Sequence, residues 1–219
     1  MANLPEMVWE FLDGDPCIRR NMRLGLINKR ALARHILEAK NIDSKLDAAL
    51  SAIRRYESES SGKIFENAYK LIKESTSIST KSPLANISLK KDADVQKLLP
   101  KLFSIIQYSQ GHALRIIQAD KSIKILVDEK NLEDVKKIFP KDKIIEVEKN
   151  LAELNIHIPE QARHAVGIMA ITTNELAVNG INILESMTCI SELLWFVEGK
   201  DLLKAYNVLN QLWHFNEKN

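Results

Sequence analysis

The feature that most constrains this chain is a repeated order of strand and helix patterns in its C-terminal half. From Leu84 onward, short segments with an apolar residue at every second position alternate with segments whose apolar residues have helical spacing. Between Leu84 and Glu148 these segments follow the order βαββαβ, and at Leu151 the same order begins again. The sequence therefore predicts an α+β fold in which two ferredoxin-like βαββαβ units follow one another.

The second unit lacks an obvious fourth strand. Its last helix begins at Asp201, and after this helix only residues 215–219 remain. We predict that another part of the chain supplies the strand, and residues 76–81 are the candidate. The predicted organisation has four segments: a helical domain over 1–60, a connecting helix and linker over 61–82, a first unit over 83–150 and a second unit over 151–219.

One strand of the second unit is apolar on both faces. Leu193, Trp195 and Val197 alternate with Leu194 and Phe196, and a strand of this kind is usually buried on both sides. The sheet face that carries no helices must therefore pack against the other unit or against a second chain. We expect a homodimer, with intramolecular packing of the two units as the alternative.

The N-terminal segment has the pattern of several short helices. Two of them, over 29–40 and 44–56, are joined by a short polar turn and have the outline of a helix-turn-helix. Residues 1–56 carry ten Lys and Arg against seven Asp and Glu, and the candidate nucleic-acid contacts are Lys45, Arg54 and Arg55. The alternative is a solvated basic face, because acidic residues are interleaved with the basic ones: Asp13, Asp15, Asp43 and Asp47. The net charge of the whole chain, +2, is also too small to indicate nucleic-acid binding.

Several classes of function have no motif in this sequence. There is no phosphate loop, GxGxxG or HExxH motif, and the His and Cys residues lack the spacing of a metal site. We therefore expect no enzyme activity, no metal and no cofactor. No apolar run reaches the length of a membrane span. Cys17 and Cys189 are expected to be reduced, buried thiols in a cytoplasmic protein without membrane contact.

Residues 164–198 resemble an ACT domain. The resemblance lies in a turn that contains Gly167, a helix that ends in the sequence NGINI over 179–183, and a following strand that ends in SMTC over 186–189. At the N-terminus, INKRALARHI over 27–36 and SAIRRYE over 51–57 are similar to segments of archaeal proteins described as predicted regulators of amino acid metabolism containing ACT domains. The chain thus resembles that family, and its repeat resembles the tandem ACT units of aspartate kinases, which bind a feedback amino acid.

The resemblance also implies where an effector would bind. Family sites use the turn after the first strand together with the start of the next strand, across an interface. Matched by position, these residues are His164, Ala165, Val166, Gly167, Ile168 and Met169, with Asn179, Asn182 and Ile183 opposite. A glycine at this turn lets backbone N–H groups approach a ligand, and the start of a helix favours a carboxylate. The alternative is that Gly167 is only a tight turn and that Asn179 and Gly180 only end a helix.

The expected function follows from the fold and the resemblance together. We expect a regulatory protein that binds a small effector, an amino acid, on its ACT units. The N-terminal domain would relay binding to a protein or DNA partner. The alternative is a purely structural module that dimerises and binds no ligand.

Overall fold

The computed structural model describes residues 3–23, 25–59, 64–74 and 77–214. The chain forms two compact units, Met1–Lys63 and Ile64–Asn219. The unit Ile64–Asn219, called the C-terminal unit below, begins with a helix. The sequence suggested this helix as part of a connecting helix and linker over 61–82. This helix instead contributes Ala68, Leu71 and Ile72 to a core of the C-terminal unit.

The N-terminal unit is built from helices around one apolar core. They are α1 (Leu4–Gly14), α2 (Pro16–Arg23), α3 (Lys29–Ala39) and α4 (Leu46–Glu59). The start of α3 agrees with the sequence, because the side chain of Asn28 accepts hydrogen bonds from the backbone N–H groups of Arg30 and Ala31. Val8 and Ile36 are fully buried in the core that the helices share.

The C-terminal unit contains a six-stranded sheet with helices between its strands. The strands are β1 (Ser77–Lys90), β2 (Leu114–Gln118), β3 (Ser122–Asp128), β4 (Ile144–His157), β5 (Glu185–Cys189) and β6 (Glu192–Glu198). The helices are α5 (Ile64–Lys73), α6 (Ala93–Leu98), α7 (Leu102–Ile105), α8 (Leu132–Ile138), α9 (Ile168–Val178) and α10 (Leu202–His214). The strand order is β2-β3-β1-β4-β6-β5, and every neighbouring pair is antiparallel.

The two long strands β1 and β4 belong to both βαββαβ units. In the first unit, the second half of β1 pairs with β3 and with the first half of β4. In the second unit, the second half of β4 pairs with β6 on one side and with Ser77–Lys81 on the other. The prediction that residues near 76–81 supply the missing strand is therefore confirmed for the described part, 77–81. The boundary placed between 150 and 151 falls inside β4.

The two units have the same register, which makes their positions directly comparable. Leu84 on β1 lies opposite Asp128 on β3, and Leu151 on β4 lies opposite Glu198 on β6. Each unit packs its helices on one sheet face over an apolar core. Ile125 lies in the core of the first unit and Trp195 in that of the second.

The other face of the sheet is buried within the same chain. Leu194 and Phe196 from β6 pack there against Leu84, Leu126 and Leu151, and Phe196 is fully buried. The strand is thus apolar and buried on both faces, as predicted. Packing of one unit against the other provides this burial, so the argument that led to a homodimer is satisfied inside one chain.

Two ion pairs show how strongly the sheet curls. Arg115 on β2 donates a hydrogen bond of 3.0 Å to Glu153 on β4, and Lys124 on β3 pairs with Glu185 on β5. In a flat sheet these strands would lie roughly 14 Å and 19 Å apart. The sheet therefore folds over on itself and brings the faces of the two units together.

Candidate effector site

A cleft of about 650 Å³ opens at the start of α9 in the second unit. One wall is the segment between β4 and α9, which contains a short 3-10 helix over Glu160–His164. The other wall is the end of the β5–β6 hairpin. The lining residues are Ile158, Ala162, Arg163, Ala165, Gly167, Ile168, Met169, Ala170, Thr188, Cys189, Ile190 and Leu193.

Gly167 determines how α9 begins. Its φ of 102° lies in the left-handed region, which favours glycine because a side chain there is strained. No side chain caps the helix, and the backbone N–H of Ile171 is bonded to the carbonyl of Gly167 at 2.9 Å. The first-turn amides therefore have no side-chain acceptor, and they carry the partial positive charge of the helix start into the cleft.

The structure brings part of the predicted residue set to this cleft. Ala165, Gly167, Ile168 and Met169 line it, whereas His164 and Val166 are exposed beside it and outside the lining. Asn179 ends α9, and Asn182 and Ile183 follow that end. A helix of this length places its two ends roughly 16 Å apart. Within one chain, the second half of the predicted set therefore lies away from the cleft.

The sequence did not indicate the hairpin wall or the charge of the cleft. Thr188, Cys189 and Ile190 reach the cleft because β6 pairs with β4, and a local pattern does not show that pairing. The prediction that Cys17 and Cys189 are buried is wrong, since both are exposed. Cys189 is the last residue of the edge strand β5, and Cys17 lies in the first turn of a surface helix.

The lining is apolar with one formal charge. Among the lining residues, all of which the structure describes, only Arg163 is charged. Its side chain makes no hydrogen bond or ion pair with another described residue. Glu192 stands next to Leu193 but projects to the opposite face of β6, where it accepts a hydrogen bond from Asn155 and pairs with His157. The cleft thus presents a cation, amide groups and an apolar wall.

The first unit has a side-chain carboxylate at the start of its own first helix, α6. Asp92 caps α6 by accepting a hydrogen bond of 2.9 Å from the backbone N–H of Val95. Lys143 donates to the other carboxylate oxygen at 2.6 Å. The bond from Lys143, followed by that from Val95, holds the pKa of Asp92 below its usual value. An anion held by amides and one cation is therefore already part of this fold.

The first strand of each unit ends with the same backbone hydrogen bond, but the connection from that strand to the first helix differs in length. In the first unit the backbone N–H of Lys91 donates to the carbonyl of Lys121, and in the second Ile158 donates in the same way to Ser191. Only Lys91 separates β1 from Asp92, whereas Ile158–Pro159 and the 3-10 helix precede Gly167. This longer connection opens the cleft in the second unit.

The candidate nucleic-acid residues lie on one helix or at its start. Lys45 precedes α4, Arg54 and Arg55 lie on α4, and all three are exposed. Nearby, Arg30 on α3 pairs weakly with Asp47 at 3.9 Å. Basic and acidic groups are thus interleaved on this surface.

The described residues contain neither a cluster of metal ligands nor a membrane-spanning helix. In the part of the chain that the structure describes, no three His, Cys, Asp or Glu side chains gather in a way that could hold a metal ion. No helix among the described residues has the length and apolar character needed to cross a membrane.

Comparisons with known proteins give a likeness of fold. Neither protein-family models nor curated proteins match the chain. Among solved structures, the regulatory subunit of aspartate kinase from Thermus thermophilus aligns with 64% of this chain and 98% of its own, with a TM-score of 0.52 and 14% identity. The aspartokinase alpha and beta subunits align with 64% of this chain and 99% of theirs, with a TM-score of 0.51 and 18% identity.

A full-length enzyme gives the same likeness over a smaller share of its chain. The aspartate kinase of Clostridium acetobutylicum, described as an allosteric enzyme, has a TM-score of 0.51 and 18% identity. The alignment covers 64% of this chain and 35% of that enzyme, so this chain spans about a third of its length. At such identities the likeness is one of fold, and it supports ACT-like units in the C-terminal part of the chain.

Proposed function

We propose that this chain is a regulatory protein whose C-terminal unit binds a small amino-acid effector in the cleft at the start of α9. The observation that carries the proposal is the uncapped helix start at Gly167, which opens into a cleft of about 650 Å³. In the first unit the first helix, α6, starts instead with the carboxylate of Asp92 as its cap. An effector carboxylate in the cleft would make the same kind of contact.

Two further observations support a regulatory role. The fold is shared with a protein described as the regulatory subunit of aspartate kinase. Two residues of the lining, Thr188 and Cys189, carry a hydroxyl and a thiol, but the lining contains no His, Asp or Glu that could act as their base.

We infer that the bound effector changes what the N-terminal unit contacts, and that this partner is a protein or DNA.

The test combines stability with a reporter inside the cleft. The Cys17→Ser variant leaves Cys189 as the one thiol of the chain. Each of the twenty amino acids is added, and the melting temperature and the rate of Cys189 alkylation are both measured. An effector at a hundred times its Kd stabilises the folded state by about 2.7 kcal/mol, and it should slow alkylation. If no amino acid changes either quantity, a module that only associates and binds no ligand becomes the better explanation.

The partner of the N-terminal unit requires a separate experiment. If it is DNA, binding should weaken steeply with salt, and Lys45→Ala with Arg54→Ala should reduce the slope of log affinity against log salt by about one for each phosphate that the protein no longer neutralises. The matched control is Lys97→Ala, which removes an exposed cation in the C-terminal unit. Absence of DNA retardation at low salt, with and without effector, would favour a protein partner.

A further inference from the structure

From the lining of the cleft we propose that its ligand is a small carboxylate with an uncharged apolar side chain, and that an α-ammonium group is not required for recognition. This inference rests on the proposed function and narrows it to one class of ligand. The two sources of this chemistry are amino acids such as leucine or valine and the corresponding 2-oxo acids.

The apolar wall sets the side-chain preference. Ile158, Ile168 and Leu193 are buried side chains that reach the cleft from three different elements, and Ile190 is exposed at its rim. The apolar surface still open to water in the lining belongs to Met169 and Ile190, which are exposed. An aliphatic side chain of the ligand would cover that surface and its own, at roughly 25 cal/mol per Å². A charged side chain would lose hydration there without a partner.

The charge of the cleft sets the preference for the head group. Arg163 and the amide groups at the start of α9 both favour an anion. A guanidinium and a helix start disfavour a second cation, so lysine is a poor ligand. A second carboxylate, as in aspartate, would compete for the same single cation. The best match is one carboxylate and no other charge.

The α-ammonium group finds no acidic partner at this site. The lining residues, each of which the structure describes, include no Asp or Glu. Glu192, next to Leu193 of the lining, is engaged with Asn155 and His157 on the other sheet face. Glu160, the first residue of the 3-10 helix, is exposed and lies outside the lining. In the first unit Asp92 is likewise an anion that accepts hydrogen bonds from a backbone amide and from one cation. A 2-oxo acid should therefore bind about as tightly as its amino acid.

The experiment compares five probes by calorimetry on the full chain with Cys17→Ser: leucine, valine, 4-methyl-2-oxopentanoate, lysine and aspartate. We expect the first three to bind and to slow alkylation of Cys189, with lysine and aspartate at least about tenfold weaker. Arg163→Gln should weaken leucine and its 2-oxo acid equally, by about tenfold, because each loses one charge-assisted hydrogen bond. Arg163→Lys should restore part of the affinity, and Lys130→Gln, an exposed cation outside the lining, serves as the matched control.

Each contrary result points to a different error. Tightest binding of lysine or aspartate would overturn the ligand class while leaving an effector site in place. Binding of leucine without its 2-oxo acid would overturn the statement on the ammonium group. Binding without protection of Cys189, and without any effect of Arg163→Gln, would place the ligand outside the cleft. Failure of all five probes together with all remaining amino acids would instead overturn the proposed function.

Discussion

The two βαββαβ units have the same strand register, but their first helices start in different ways. In the first unit Asp92 caps α6 and Lys143 neutralises it. In the second unit the N-cap of α9 is Gly167, which has no side chain, and Arg163 lines the open cleft beside it. The same fold thus begins its first helix with a side-chain carboxylate in one unit and with a glycine beside an open cleft in the other, and this contrast is the basis of the proposed carboxylate ligand.

The largest effect on the free energy of unfolding should come from substitutions in the two apolar cores. We expect the two βαββαβ units to unfold together. Trp195 and Ile125 are buried at equivalent positions. Trp195→Ala should cost about 3–5 kcal/mol and Ile125→Ala about 2–5 kcal/mol. Because β1 and β4 run through both units, each variant should raise amide hydrogen exchange in both. Faster exchange confined to the mutated unit would show that the two unfold separately.

The next prediction compares two glycine substitutions that should destabilise the fold similarly but differ in their effect on ligand binding. Gly167 and Gly180 lie at opposite ends of α9, and both have a positive φ. Alanine at either position should destabilise the fold by roughly 1 kcal/mol or more. Only Gly167→Ala should weaken effector binding, by at least about tenfold, because only Gly167 lines the cleft. Calorimetry on both variants measures this, and equal weakening in the two would remove the special role of Gly167.

A smaller effect is expected at the closed helix start. The pKa of Asp92 is lowered by Lys143 and by the N–H of Val95. A carboxylate with a lowered pKa in the folded state stabilises the fold above its unfolded pKa of about 3.9. That stabilisation is lost as the pH falls through the lower, folded value. Asp92→Asn should therefore destabilise the protein at neutral pH and have little effect in strong acid, as urea unfolding at several pH values would measure. A constant difference at every pH would mean that the charge has no role.

The smallest expected effect is at Glu153, whose contribution to the free energy of unfolding should change with pH in the opposite direction to that of Asp92. Asn86 and Glu153 occupy equivalent positions, and both are buried. Burial raises the pKa of Glu153, and the Arg115 guanidinium opposes the rise. The folded state therefore holds its proton more tightly, and stability is gained as the pH falls through the folded pKa. Relative to Glu153→Asn, which copies the first unit, the natural chain should be more stable in acid than at neutral pH. A pH-independent difference in unfolding free energy would contradict this.

The sequence predicted what depends on local pattern and missed what depends on pairing. The apolar run over 193–197 indicated that both faces of β6 are buried, and the missing fourth strand of the second unit led to residues 76–81 as the candidate. The turn at Gly167 followed from the ACT resemblance. The unit boundary was misplaced because Lys149 and Asn150 are polar and look like the end of a strand. Asn150 instead takes a positive φ and donates its N–H to Glu129 at 2.9 Å, so β4 continues. The hairpin wall was missed because only the folded sheet brings it to the start of α9. Arg163 lies directly before the predicted set, and the sequence pattern did not show that its side chain lines the cleft.

The shared strands also give the chain an order of assembly. Residues 84–148 are contiguous and contain all four strands of the first unit, whereas the pieces of the second unit flank them on both sides. During synthesis the first unit has every strand once residue 148 has left the ribosome. Ser77–Lys81 gains its partner strand only when the second half of β4 follows. The second wall of the cleft forms later, when β5 and β6 have been synthesised. The half that contains Asp92 is thus complete before the half that contains the cleft.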